Sequence, residues 1–275
     1  VSSNYKAEYD QLSSAGISAV TKSGTNEFEG QFFWDNTAQD FRAKTADENF
    51  RGRDKVRSGT EHYGVAIGGP ILMDRLHYFV TYEAKEIDRV ASITPGRNRS
   101  IDSLPSPYRE EALATTGSPF KEDLFFGKLS WTPGDAHLVE FTAKYREEDD
   151  IVGVDGINTF QYGTSRAGEE TRLDLRYQYS AENWLNDAHI TFEDATFGPQ
   201  PLTIAPGRRL LIPAEGQETV NNPNMSAILN IGGGPDQQQK GQKGLGFQND
   251  FTWFGFEGHT IKAGIKYKQV DISAL

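Results

Sequence analysis

"LSWTPGDAHLVEFTAKY", Leu129 to Tyr145, holds two alternating runs joined by a Pro-Gly turn. In the second run Val139, Phe141, Ala143 and Tyr145 share one side, and Glu140, Thr142, Lys144 and Arg146 the other. A two-residue period over about ten positions marks one arm of a β-hairpin, because successive strand side chains point to opposite faces. Thr132-Pro133-Gly134-Asp135 suits a type II turn, with Pro fixing φ at the second position and Gly accepting positive φ at the third. The fold turns on what the apolar side touches: a protein core, or lipid.

Composition narrows the choices. At 275 residues the chain is long enough for one large β domain or two smaller ones. Its 39 acids against 28 bases give a net charge of −11, which argues against a nucleic-acid partner that needs a basic stripe. With no cysteine there is neither a disulfide framework nor a thiolate metal site. No apolar run reaches the roughly eighteen residues of a membrane helix, but a barrel strand needs only about 9–11 and alternates its faces.

Strand-like runs recur along the chain: Glu27–Asp35, Glu61–Gly69, Leu76–Asp88, Leu124–Trp131, His137–Glu147, Thr171–Ser180, Leu185–Thr196, Leu245–Phe254 and Thr260–Asp271. Only Ser106–Gly117, inside a polar connection, has a helical pattern. The connections alternate strictly. Long ones (Asn36–Thr60, Arg89–Asp123, Glu148–Glu170, Phe197–Gly244) follow every odd strand, and short ones ("PILMDR", "TPGD", "AENW", "GFEGH") every even strand. Loops at the two ends of a soluble sandwich have similar lengths, whereas an outer-membrane barrel has short periplasmic turns and long outer loops.

The aromatics agree with lipid. Trp131, Trp184 and Trp253 sit at short turns and Trp34 at the far end of the first strand, where an interfacial girdle would place them. Phe32, Val65, Tyr78, Val80, Leu129, Leu175, Tyr177, Ile265 and Tyr267 are expected to face outward. Gln31, Thr81, Glu83, Lys128, Arg172, Asp174, Arg176, Lys262, Lys266 and Lys268 are expected to face inward. Phe33, Phe79 and Phe254 break the pattern by pointing inward, toward whatever fills the interior. Alternation alone does not separate lipid from core.

"YKAEYDQLSSAGISAVTKSGTNEFEGQFFW" resembles the plug-to-barrel junction of TonB-dependent outer-membrane transporters, and is most similar to the Oar-like branch. The matching residues are Tyr5, Ala7, Glu8 and Tyr9, then Val20, Thr21, Lys22, Ser23, Gly24, Thr25 and Asn26. "YGVAIGGPILMDRLHYFVTYE", Tyr63 to Glu83, resembles the next two barrel strands, with Gly68-Gly69-Pro70 leading into the first periplasmic turn. Ser14-Ala15-Gly16 replaces a usual Gly pair, and Glu29 a frequent His. The resemblance implies an all-β chain, part of an antiparallel transmembrane β-barrel. Residues 1–26 would end a plug domain, with Ile17–Thr21 a short strand, Ser23–Asn26 the crossover and Gly24 supplying a positive φ there. Residues 27–275 would form the N-terminal portion of the barrel. About nine strands against the roughly twenty-two of such a barrel imply an internal fragment.

Motifs for chemistry are weak. His62, His77, His137, His189 and His259 lie on separate strands and turns without metal-ligand spacing. "EEDDIVGVDG", Glu147 to Gly156, lacks the spacing of a calcium loop and reads as a solvated acidic outer loop. "NIGGGPDQQQKGQKGLG", Asn230 to Gly246, lacks the Gly-Lys-Ser/Thr ending of a phosphate loop and reads as a flexible outer loop. No nucleophile–base pair is evident, so neither catalytic nor metal residues are assigned, no cofactor is expected, and an enzyme is not. From the resemblance, the expected function is TonB-dependent uptake of a scarce nutrient across the outer membrane of a Gram-negative bacterium. Its partners would be outer-membrane lipid, the inner-membrane TonB complex and a small-molecule, saccharide or peptide substrate. A soluble extracellular β-protein binding glycans and a passive outer-membrane pore are the alternatives.

Overall fold

Alternating side chains become strands that pair in chain order. The computed structural model describes residues 20–44, 49, 52, 54, 55, 58–89, 91–114, 117–221 and 223–275. The strands are β1 (Glu29–Ala38), β2 (Gly59–Leu72), β3 (Leu76–Asp88), β4 (Phe120–Gly134), β5 (His137–Val152), β6 (Thr164–Ser180), β7 (Trp184–Pro201), β8 (Arg208–Pro213), β9 (Met225–Ile231), β10 (Lys240–Phe256) and β11 (His259–Ala274). A short helix, α1 (Tyr108–Leu113), lies within the helical stretch expected from sequence.

Nine strands form one sheet in the order β1-β2-β3-β4-β5-β6-β7-β10-β11, every neighbour antiparallel, with β1 and β11 at its edges. These are the nine strands read from the alternation. Several run further toward the long-connection end than expected: β6 begins at Thr164 instead of Thr171, and β5 continues to Val152. The remaining pair, β8 and β9, is a separate hairpin inside the last long connection, unexpected from the sequence.

The TPGD expectation needs correction. Gly134 is still a ladder residue, paired with His137, and its φ is not positive; the turn residues are Asp135 and Ala136. A register shift between Trp131 and Gly134 absorbs the extra residues as a bulge, which replaces the type II geometry.

Cross-strand partners share a face, so the register assigns every wall residue to a side. One row reads Tyr78, Leu129, Phe141, Leu175, Ile190, Phe247 and Tyr267 across seven strands. Four residues toward the long connections on β3, past one intervening row, another row begins Tyr82, Phe125, Tyr145 and ends Thr171, Asp194, Lys243, Asp271. The apolar band therefore steps toward the short turns from β3 to β11. Strands tilted across a level hydrophobic slab produce this staircase.

Among the described residues no second layer covers the apolar face: Phe141, Leu175, Ile190 and Ile265 are all exposed. The fully buried apolar side chains lie elsewhere. Leu104 and Ala112 of the β3–β4 connection pack with Ile228, Leu229 and Ile231 of β9, beyond the ends of the wall strands.

Candidate functional site

The wall has two chemically distinct faces. Along the short-turn end of the apolar face, rings contact in sequence across β5, β6, β7 and β10. His137 lies 4.9 Å from Tyr179, Tyr179 4.9 Å from Trp184, and Trp184 5.5 Å from Phe251. Trp131 and Trp253 fall on the same face. Amphipathic rings collected at one level form the girdle expected where hydrocarbon meets headgroups. At the other end, Trp34 donates its indole N–H to Glu61 at 3.0 Å.

The opposite face carries linked ion pairs. Lys128 Nζ lies 2.8 Å from Glu140, and Glu140 also meets Arg176 at 3.1 Å. Arg176 grips Asp187 with two N–H donors at 2.8 and 2.6 Å. His189 stands between Asp174 at 3.1 Å and Asp187 at 3.3 Å. Further along, Lys144 reaches Glu170 and Arg146 reaches Glu122 and Glu148. Alternating signs on adjacent strands let each charge leave bulk water with a partner. The inward residues Lys128, Arg172, Asp174 and Arg176 all belong to this face, as the sequence indicated.

Phe33 and Phe79 also lie on the charged side, where they meet His62 and Phe126 edge-to-face at 4.9 and 6.3 Å. A hollow of about 410 Å³ is lined by these phenylalanines together with Thr21 and Lys22. The chain ahead of β1 thus lies along the inner face of β1–β3. Gly24 rests on the wall so closely that a Cβ would fall 2.1 Å from the Tyr78 carbonyl oxygen. Its φ is not positive, so close approach rather than a left-handed backbone demands glycine there, which corrects the expectation. Asn26 then fixes the strap to the first short turn. Its Nδ2 donates to Asp74 Oδ1 at 2.6 Å, while its Oδ1 accepts from the Asp74 N–H at 2.8 Å and lies 2.8 Å from His77 Nε2. Val20 and Thr21 pair with no strand among the described residues; Ile17–Ala19 and the Tyr5–Tyr9 motif lie outside them.

The long connections are not all open loops. Glu147–Val152 is part of β5, and Asp150 there bridges Arg89 and Arg166, the latter at 2.5 Å; the stretch is paired wall, not a solvated loop. Asn230 and Ile231 end β9, and a Cβ on Gly233 or Gly234 would strike the carbonyl oxygen of Ala205 or Tyr162. That close packing overturns the reading of Asn230–Gly246 as a flexible loop, and residues from Lys240 onward are β10. The signal for β8–β9 was present as two short apolar runs, "RRLLIP" and "MSAILNI", but neither alternates. The five histidines remain apart on their own strands and turns; among the described residues no group of His, Cys, Asp or Glu is placed to hold a metal ion.

Known proteins show the same wall. Residues 20–98 match the family described as an outer membrane beta barrel domain. An 87-residue stretch is 31% identical to the TonB-dependent transporter Oar of Myxococcus xanthus, covering 30% of this chain and 8% of Oar. The outer membrane transporter YddB from Escherichia coli superposes with a TM-score of 0.62 at 12% identity, over 91% of this chain and 32% of that one. The siderophore receptor PirA from Acinetobacter baumannii gives 0.57 at 15% identity, over 91% and 31%. At such identities the likeness is one of fold, and the chain spans about a third of those structures. This chain is transmembrane β-barrel wall of the bacterial outer membrane, similar in sequence to a TonB-dependent transporter and in fold to outer-membrane transporters and receptors.

Proposed function

We propose that this chain belongs to a transporter that takes up a scarce nutrient across the outer membrane, driven by the inner-membrane TonB complex. The observation that carries the reading is the strap. A segment matching the plug-to-barrel junction lies on the inner face of the wall and is pinned there through Gly24 and Asn26. A segment so fixed against the inner wall fits a plugged barrel better than an open channel. Residues 1–26 would be the end of a plug, and residues 27–275 the first part of the barrel. That Oar is a transporter and PirA a siderophore receptor supports transport over catalysis. The substrate would be a small molecule, saccharide or peptide met by the long-connection end and the plug.

Deleting the gene in its host and measuring accumulation of iron chelates, cobalamin, saccharides and peptides tests this. Loss of energy-dependent accumulation of one class, reproduced by disrupting TonB, is expected. Accumulation that persists without TonB or an energised inner membrane would overturn the reading in favour of a pore.

A further inference from the structure

The long connections of outer-membrane barrels are usually pictured as separate loops, but three of them here share one interior. From the β3–β4 connection come Leu104, Tyr108 and Ala112; from the β7–β10 connection come Ile228, Leu229 and Ile231, with Ile228 and Leu229 at 0% exposure. The β5–β6 connection joins through its backbone. Asn158 bridges Asn230, the Asn230 N–H donates to the Ile157 carbonyl at 2.7 Å, and the Thr159 N–H donates to the Asn230 carbonyl at 3.1 Å. Thr159, itself fully buried, donates its hydroxyl between Asn230 O and the Glu111 carboxylate at 3.1 and 3.3 Å. Glu111 on α1 also accepts the Gly232 N–H at 3.1 Å, so one carboxylate touches all three connections. Parting them would expose the apolar side chains and strand these polar groups together.

We propose that the β3–β4, β5–β6 and β7–β10 connections are a single folded cap that stays one body through the transport cycle. Ligand meets the surface of a preformed unit, not three loops that open separately. The cycle rests on the transport reading above; the cohesion of the cap does not.

Two measurements on the full-length protein test this. In hydrogen exchange, Leu229→Ala is expected to speed exchange about tenfold or more in residues 93–113, 157–163 and 225–231 together, with the wall strands unchanged. Acceleration confined to 225–231 would overturn the single body. In the second arm, an Asn158→Cys/Asn230→Cys pair is oxidised and uptake compared before and after reduction. Cross-linking with unchanged uptake is expected; failure to cross-link, or a block relieved by reductant, overturns the proposal. A protein that transports nothing in either state refutes the transport reading alone, and the exchange arm still decides the cap.

Discussion

Asn26 and Asp74 hold each other by a two-way exchange, the Asn26 amide donating to the Asp74 carboxylate and accepting from the Asp74 N–H. The pair joins the strap ahead of β1 to the turn between β2 and β3, with Gly24 seated against the wall two residues earlier. Asn26→Ala is expected to cost about 1–2 kcal/mol through these lost hydrogen bonds. Gly24→Ala is expected to do more local damage, because its methyl group meets backbone that cannot yield. Trypsin cleavage after Lys22 in the folded full-length protein reports both. Cleavage should be fastest in Gly24→Ala, intermediate in Asn26→Ala and slowest in the native protein; equal rates would show that the strap is not pinned.

Phe141 stands between Leu129 and Leu175 in the longest apolar row and is exposed. Phe141→Arg should cost about 2–4 kcal/mol near the bilayer midplane. Phe141→Leu should be nearly neutral, since fluid lipid fills the lost volume where a close-packed core would not. Reversible folding of the full-length barrel in lipid against denaturant separates the two. A comparably large loss for Phe141→Leu would contradict lipid contact.

What the sequence reveals tracks where water and lipid differ. Where one face meets hydrocarbon, as from Leu129 to Tyr145, the two-residue period shows the strand directly. Beyond the membrane both faces are wet: Glu169 and Glu170 point opposite ways and are both acidic, so the period vanishes although β6 is still paired there. The cap was hidden for another reason. Its core joins Leu104 to Leu229, far apart in the chain, and the runs that supply it are too short to show a period. Gly24 stands out in the sequence without its physical cause, because a close approach and a positive φ select the same residue.

Lys128 and Glu140 are both nearly buried on the inner face, 2.8 Å apart, with Arg176 on the far side of the carboxylate. Glu140→Ala leaves the ammonium of Lys128 without this partner and should cost about 3 kcal/mol or more. A Lys128→Met/Glu140→Met pair should recover most of that loss, since Arg176 keeps Asp187 and two apolar side chains need no partner. Denaturant midpoints of the singles and the double, in a double-mutant cycle, measure the coupling. Additive losses would show that water in the interior screens the pair.

Asp123, Glu147 and Glu169 stand directly opposite one another on β4, β5 and β6, on the outer side of the wall. Three like charges in register are unfavourable, and Tyr82 and Tyr145 soften the contact by donating their hydroxyls to Asp123 and Glu147, the latter at 3.1 Å. Glu147→Gln removes the central charge while its amide oxygen still accepts from Tyr145. It should raise stability by a few tenths of a kcal/mol to about 1 kcal/mol at low ionic strength. The gain should vanish near 1 M salt, where the screening length is about 3 Å and the native row no longer repels itself. Denaturant midpoints of both proteins across a salt series test this. A gain that survives high salt would have a cause other than charge, and a loss at low salt would show that the carboxylates hold each other through a shared cation.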